Sequence, residues 1–215
     1  MEFLNVLNNR RAIRSFSNQP ISDKDLREIV EQALLAPSWE NTQPWKVYIA
    51  GGNSLKSIKQ QHLQYSKDKV RSNPEMPIMH YNQWAKDSVH NIDQWNSDIN
   101  SFLGDESDEV GDVQFKLFNA ADIVYLTVPK NSSSWSIYDL GSFGQTLMLS
   151  ATNKGIDSIP AYALVKYPDI VRKNIDIPDD QMLVMGIALG YRDTSKINDF
   201  ESRRMNLDDV LKIEN

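Results

Sequence analysis

Arg10-Arg11-Ala12-Ile13-Arg14-Ser15-Phe16 and Ala36-Pro37-Ser38-Trp39-Glu40-Asn41-Thr42-Gln43-Pro44-Trp45 are the two runs from which the architecture and chemistry of this chain are most directly read. The first packs three arginines into five residues, interrupted by apolar Ala12 and Ile13. Extended, it sends Arg10 and Arg14 to one side and Arg11 to the other, because side chains alternate along a strand. The second is a polar, proline-bounded loop with two indoles and two amides. Cationic forks beside amides and aromatic rings suit a ligand that is anionic at one end and flat and heteroaromatic at the other. Flavin mononucleotide (FMN) fits that description. Taken alone, the arginines are equally compatible with a solvated helix flank, and Pro44 and Trp45 read as an ordinary loop entering the core.

Working outward, 215 residues with 40% hydrophobic content suffice for one sizeable core and one domain, residues 1–215. The net charge of −6, from 23 basic and 29 acidic residues, argues against nucleic acid or an anionic membrane as partner. The arginines at 10–14 stand out against that background. Absence of cysteine removes disulfides, thiolate metal sites and a thiol nucleophile. His62, His80 and His90 lack flanking carboxylates at ligand spacing, so no metal is expected. Gly-x-Gly-x-x-Gly after a strand, the phosphate-loop lysine motif and Gly-x-Ser-x-Gly are all missing. Met1–Asn5 does not open a signal peptide and no apolar run reaches membrane-spanning length, so a cytoplasmic protein is expected.

Ser22-Asp23-Lys24-Asp25 reads as a helix start, with a hydroxyl cap and acids in the first turn. Leu26, Ile29, Val30, Ala33 and Leu34 then follow helical spacing up to Pro37. Residues 45–50 read as a strand stopped by Gly51-Gly52, and 53–66 as a helix. Residues 67–111 form a polar excursion with Trp84, Trp95 and an acidic run, expected to cover the active site. Beyond it come a short helix ending near Ala120, a strand over 122–128 and a long apolar helix over 136–153 closed by Gly155. A turn through Pro160 leads to a short helix after Pro168. The run 181–189 is apolar throughout, as a strand buried on both faces is. Three strands amid longer helices predict an α+β or α/β layered fold.

In order and spacing, the two opening runs resemble the FMN-dependent nitroreductase family, whose pattern is roughly Arg-Arg-Ser-Ile-Arg-x-Phe, then Ala-Pro-Ser-x-x-Asn-x-Gln-Pro-Trp. The resemblance continues through the Lys116 helix, Gly155 to Ala163, Gly186-Ile187-Ala188-Leu189-Gly190-Tyr191 and Arg204, and thins between 66 and 111. It implies an α+β three-layer fold, with a mixed, mainly antiparallel sheet flanked by helices and terminal segments swapped in a homodimer. It also implies bound FMN, with NAD(P)H as transient reductant and nitroaromatics, quinones or related flat molecules as acceptors, reduced two electrons at a time by ping-pong hydride transfer. The flavin N5 is then the reactive centre, with Arg14 and Lys116 as electrostatic stabilisers.

By the same resemblance, Arg10 lies toward the phosphate and Arg14 toward N1 and O2 of the ring, and Arg11 is counted among the cofactor-binding residues. Ala12 replaces a family hydroxyl. Pro37, Ser38, Trp39 and Asn41 form the loop that reaches the flavin of the partner subunit, with Trp39 where a small polar residue is usual. Lys116 matches a lysine near the pyrimidine, although a lone lysine on an apolar helix commonly snorkels to solvent. Pro160, Ala161, Tyr162 and Ala163 match the segment crossing the N5 edge by its backbone, and serve equally as a structural turn. Arg203 or Arg204 clamps the phosphate. Other flavin chemistry (enoate reduction, dehalogenation), a non-enzymatic flavin-binding or sensor protein, and a cofactor-free interaction module remain as alternatives.

Overall fold

Apolar strand sequence and β-branched content put four strands in the middle of the molecule. The computed structural model describes residues 2–214. Its strands are β1 (Lys46–Ala50), β2 (Asp122–Pro129), β3 (Asp157–Pro160) and β4 (Gln181–Gly190), in the order β1-β2-β4-β3. Every strand pair is antiparallel, and a parallel bridge between Ala12 and Ser158 at the β3 edge makes the sheet mixed.

The alternation of β2 divides the core in two. Ile123 and Tyr125 face one layer, which holds Leu55 and Ile58 of α3 (Gly52–Lys67), Ile99 and Leu103 of α4 (Lys86–Leu103), Val113 of α5 (Glu109–Phe115) and Ile170 of α7 (Pro168–Asn174). Val124, Leu126 and Val128 face the other, built on Leu26 and Ile29 of α2 (Asp23–Ala33) and Phe143 and Leu147 of α6 (Ser134–Asn153). The result is the expected helix–sheet–helix arrangement. Two short helices, α1 (Phe3–Asn9) and α8 (Leu207–Val210), lie near the ends.

Local signals operate as expected. Ser22 caps α2, its hydroxyl accepting from the Asp25 N–H at 3.1 Å. Gly155, at φ +75°, follows α6 in the left-handed conformation that closes a helix. Gly186 has a different reason to lack a side chain: a Cβ there would lie 2.5 Å from the Leu164 Cβ.

Three expectations are corrected. Pro160 is not in a free turn but ends a fourth strand, β3, at a sheet edge where a missing N–H is tolerated. The helix before β2 stops at Phe115 rather than near Ala120. Leu117, Phe118 and Asn119 then all take positive φ, held there by burial of Leu117 and Phe118 in the core. Finally, the 67–111 excursion is largely helical, since α4 and α5 both fall in or across it. The part of it before α4 is strapped down by Glu75, which accepts from Arg172 Nε at 2.6 Å, Arg172 Nη2 at 2.9 Å and the Leu183 N–H at 2.6 Å.

Candidate active site

The segment after α1 runs extended along the open edge of β3, with the Ile13 N–H donating to the Ser158 carbonyl at 3.1 Å. That placement buries Ile13 in the core and, one residue on, carries Arg14 to the inside, where it is 8% exposed. The Arg14 guanidinium lies beside a pair of packed rings, 5.7 Å from the Trp95 centroid and 5.6 Å from that of Phe200. Nη1 donates to the Ala12 carbonyl at 3.1 Å. No carboxylate pairs with it among the described residues, and burial lowers its pKa from the ordinary arginine value. Its side chain is largely buried, yet none of its nitrogens is a buried atom without a partner, so the donors not used by Ala12 open onto accessible space where a ligand can meet them.

Arg10, which follows α1, is half-buried. Burial lowers its pKa, and the positive charge of Arg204 lowers it further, so the two guanidiniums lie close enough to repel. Neither is paired with an acid among the described residues; Arg204 Nη1 donates to the Ser202 and Arg203 carbonyls. The other two arginines of these runs are already neutralised. Arg11 pairs with Glu201, and Arg203 pairs with Asp98 of α4, Nε to Oδ2 at 2.9 Å. Arg203 and Arg204 line a cleft of about 690 Å³ between α4 and the C-terminal segment, with Trp95 in its wall.

The second run lies against the start of α6. Its backbone is strained, with positive φ at Glu40, Asn41 and Gln43. The Trp39 N–H donates to buried Asp139 of α6 at 3.2 Å, and the Trp39 ring meets Trp135 edge to face at 4.9 Å. Pro37, Trp39 and Asn41 are exposed and Ser38 is half-buried. No hydrogen bond, ion pair or ring contact among the described residues joins this loop to Arg10 or Arg14 within one chain. Trp45 is core, as read from the sequence.

At the other expected contacts, Ala12 sits on the bridge to Ser158 and Pro160 is exposed. The Ala161 N–H donates to the Gly186 carbonyl at 3.2 Å, whereas those of Tyr162 and Ala163, opening a short turn, donate to nothing among the described residues. Lys116 is exposed at the end of α5, with no contact to Arg14. Trp95 anchors α4 against Phe200, ring centroids 6.3 Å apart, while Trp84 is exposed.

Sequence reading missed the residues that hold Arg14. Asn198, 2% exposed, accepts through Oδ1 from the N–H groups of Arg14 at 2.8 Å and Ser15 at 3.0 Å. Through Nδ2 it donates to the Ser15 carbonyl at 2.8 Å. Ser15 Oγ donates to Asp193 at 2.6 Å. The available signal was Asp193-Thr194-Ser195, an acid two residues before a backbone N–H it can accept from, which makes a tight turn.

The sequence pattern of the nitroreductase family matches residues 7–191 of the chain, which include the whole sheet and every element around Arg14 except the segment beyond Tyr191. This chain belongs to the nitroreductase family. Among similar nitroreductases are 4-nitrobenzoate reductase of Pseudomonas putida, 29% identical over 89% of this chain and 86% of that protein, and nitrobenzene nitroreductase of Ectopseudomonas oleovorans, 29% identical over 88% and 86%. The crystal structure of FMN-dependent nitroreductase NfnB from Mycobacterium smegmatis in complex with NADPH superimposes with a TM-score of 0.90 at 26% identity, covering 99% of this chain and 97% of that one.

Proposed function

We propose that this nitroreductase-family chain is an FMN-dependent enzyme that uses NAD(P)H to reduce nitroaromatic compounds, with quinones as further acceptors. The observation that carries this reading is the pair of unsatisfied cationic positions: Arg10 with Arg204, repelling one another without an acid between them, and Arg14, buried without a carboxylate. A phosphate between the first two and an electron-rich ring edge beside the third would complete both, so the residues present fit FMN. The names of two relatives, 4-nitrobenzoate reductase and nitrobenzene nitroreductase, support nitroaromatics as the acceptor class.

Bound FMN supplies the chemistry, taking two electrons as hydride from NAD(P)H and delivering them to the acceptor with ping-pong kinetics. The protein's part is to bind, orient and polarise. Arg10 and Arg204 hold the phosphate. Arg203 is left out, because Asp98 already occupies its fork. Arg14 sets a fixed positive charge at the pyrimidine edge, in a site dry enough for that charge to count. The N–H groups of Tyr162 and Ala163 are the backbone donors left for the opposite edge. Trp95 of α4 stands beside Arg14, and this supports the excursion as a cover for the site. Lys116, exposed and apart from Arg14, is given no part.

Ser38 and Asn41 make no contact with Arg10 or Arg14 among the described residues, and we read them as completing the site of a partner in a homodimer with terminal segments exchanged. NAD(P)H is a cytoplasmic metabolite, which puts the working enzyme in the cytoplasm.

The test is an anaerobic absorption titration of the protein after FMN loading and desalting, first with NADPH and then NADH. Retained flavin bands that bleach with donor and return on adding 4-nitrobenzoate are expected. A colourless protein, or bands that ignore both donors, would overturn the reading. Arg14→Ala is expected to lose about tenfold in FMN affinity, on the scale of one charge-assisted hydrogen bond.

A further inference from the structure

We infer that Asn198 is the positioning residue of the active site, presetting Arg14 at both its root and its tip for the ring edge of the bound flavin; this rests on the FMN reading above.

The root is fixed by one side chain. Asn198 Oδ1 takes the N–H groups on either side of the Arg14 Cα, its own and that of Ser15, at 2.8 and 3.0 Å. Nδ2 returns to the Ser15 carbonyl at 2.8 Å and to the Asp193 carbonyl and Oδ1 at 3.3 and 3.1 Å. Peptide groups held on both sides of a Cα leave its Cβ one direction. The tip is fixed by the same stretch of chain: Phe200, two residues beyond Asn198, supplies one of the two rings against the guanidinium. Asn198 lies in a short 3₁₀ turn, Lys196–Asp199, that is docked by buried Ile197 and Phe200.

The chemistry of the side chain matters. Only a primary amide offers two acceptor lone pairs and two donors at one point, and Asn198 uses both kinds here. A hydrophobic residue would leave the N–H groups of Arg14 and Ser15 buried and unpaired. An aspartate would lose the bond to the Ser15 carbonyl and set a second carboxylate against Asp193.

The energetic logic is pre-organisation. Arg14 is unpaired and buried before any ligand arrives, a conformation that a long, flexible side chain does not keep unaided. The clamp at 198 and the packed pair of Phe200 and Trp95 hold it there, so the charge is in place when the ring docks.

A double-mutant cycle on the FMN-loaded protein tests this, reading the FMN dissociation constant by flavin fluorescence and the midpoint potential of the bound flavin. Asn198→Ala in the wild-type background is expected to weaken FMN binding roughly fivefold, the scale of one net hydrogen bond, and to lower the midpoint potential. In an Arg14→Ala background the same change should move neither quantity, because its target is gone. Asn198→Ser, which keeps one acceptor oxygen, carries the same test where the alanine variant does not fold. Equal effects in the two backgrounds, or an unchanged potential beside lost thermal stability, would make Asn198 merely structural and overturn the inference. Wild-type protein that retains no FMN would instead refute the FMN reading, and this inference with it.

Discussion

At the scale of single residues, the described core hides two titrating groups that pull stability in opposite directions with pH. His62 is 3% exposed, and burial drives its pKa from 6.5 to about 4 despite the bond from its ring to the Phe115 carbonyl. The unfolded chain then takes up a proton at higher pH than the native one. The stability His62 confers is whole above pH 6.5 and is lost as pH falls toward 4. Asp122 is the reverse: burial, and then the charge of Asp23, raises it from 3.8 to about 6. Its stability is whole below 3.8 and is lost as pH rises through 6. Each effect is worth about 3 kcal/mol over its full window, so between pH 4 and 6 they nearly offset. Relative to wild type, Asp122→Asn should therefore lose stability more steeply on acidification from pH 6 to 4, and His62→Gln less steeply. Urea midpoints across that range check this, and curves parallel to wild type would refute it.

At the scale of elements, legibility followed the strength of the local signal. Ser22, Gly155 and the apolar run of β4 carry their own instructions, and α2, the end of α6 and the central strand fall where they predict. Two elements escaped for different reasons. Edge strand β3 has four residues and ends in proline, too short for alternation to register. Helix α4 did carry a period, with Val89, Ile92, Trp95, Ile99 and Leu103 three or four apart, but its polar surroundings masked it. The site divides in the same way. Arg10, Arg14 and Arg204 were legible as motif, whereas Asn198 and Phe200 acquire meaning only when the chain folds back on them. The strap before α4 depends on Glu75, about one-fifth exposed, as is its partner Arg172. Removing it takes the paired carboxylate from Arg172, which keeps only backbone carbonyls, and leaves a strand N–H without its acceptor. Glu75→Ala should cost about 2 kcal/mol, between the values for exposed and fully buried pairs, and speed proteolysis within residues 68–85. A variant as stable and as protease-resistant as wild type would show that the strap is idle.

At the scale of the whole molecule, a single chain leaves two things unfinished, and they lie on the same side. Apolar surface collects at the end of α2 and the start of α6, where Leu35 is 84% exposed, Tyr138 71% and Trp135 59%. A patch of that kind is where the proposed second copy would dock. Beside it the loop carrying Ser38 and Asn41 is held by Asp139 and Trp135, and its two amides bond only within the loop, Gln43 Nε2 donating to Asn41 Oδ1 at 3.1 Å. Presentation of polar groups beside an uncovered apolar face makes sense when a second copy covers the face and receives the groups. Dimerisation and flavin binding should then be one linked equilibrium, each strengthening the other by the same free energy. Leu35→Asp combined with Tyr138→Asp places four charges in the paired interface and should yield monomers in sedimentation at micromolar concentration. Those monomers should release FMN on dilution, although Arg10, Arg14 and Arg204 are untouched. Added FMN should in turn shift the variant back toward the dimer. Monomers that keep FMN as tightly as the parent would mean that one chain suffices for the site, and that the loop at 38–41 serves the interface alone.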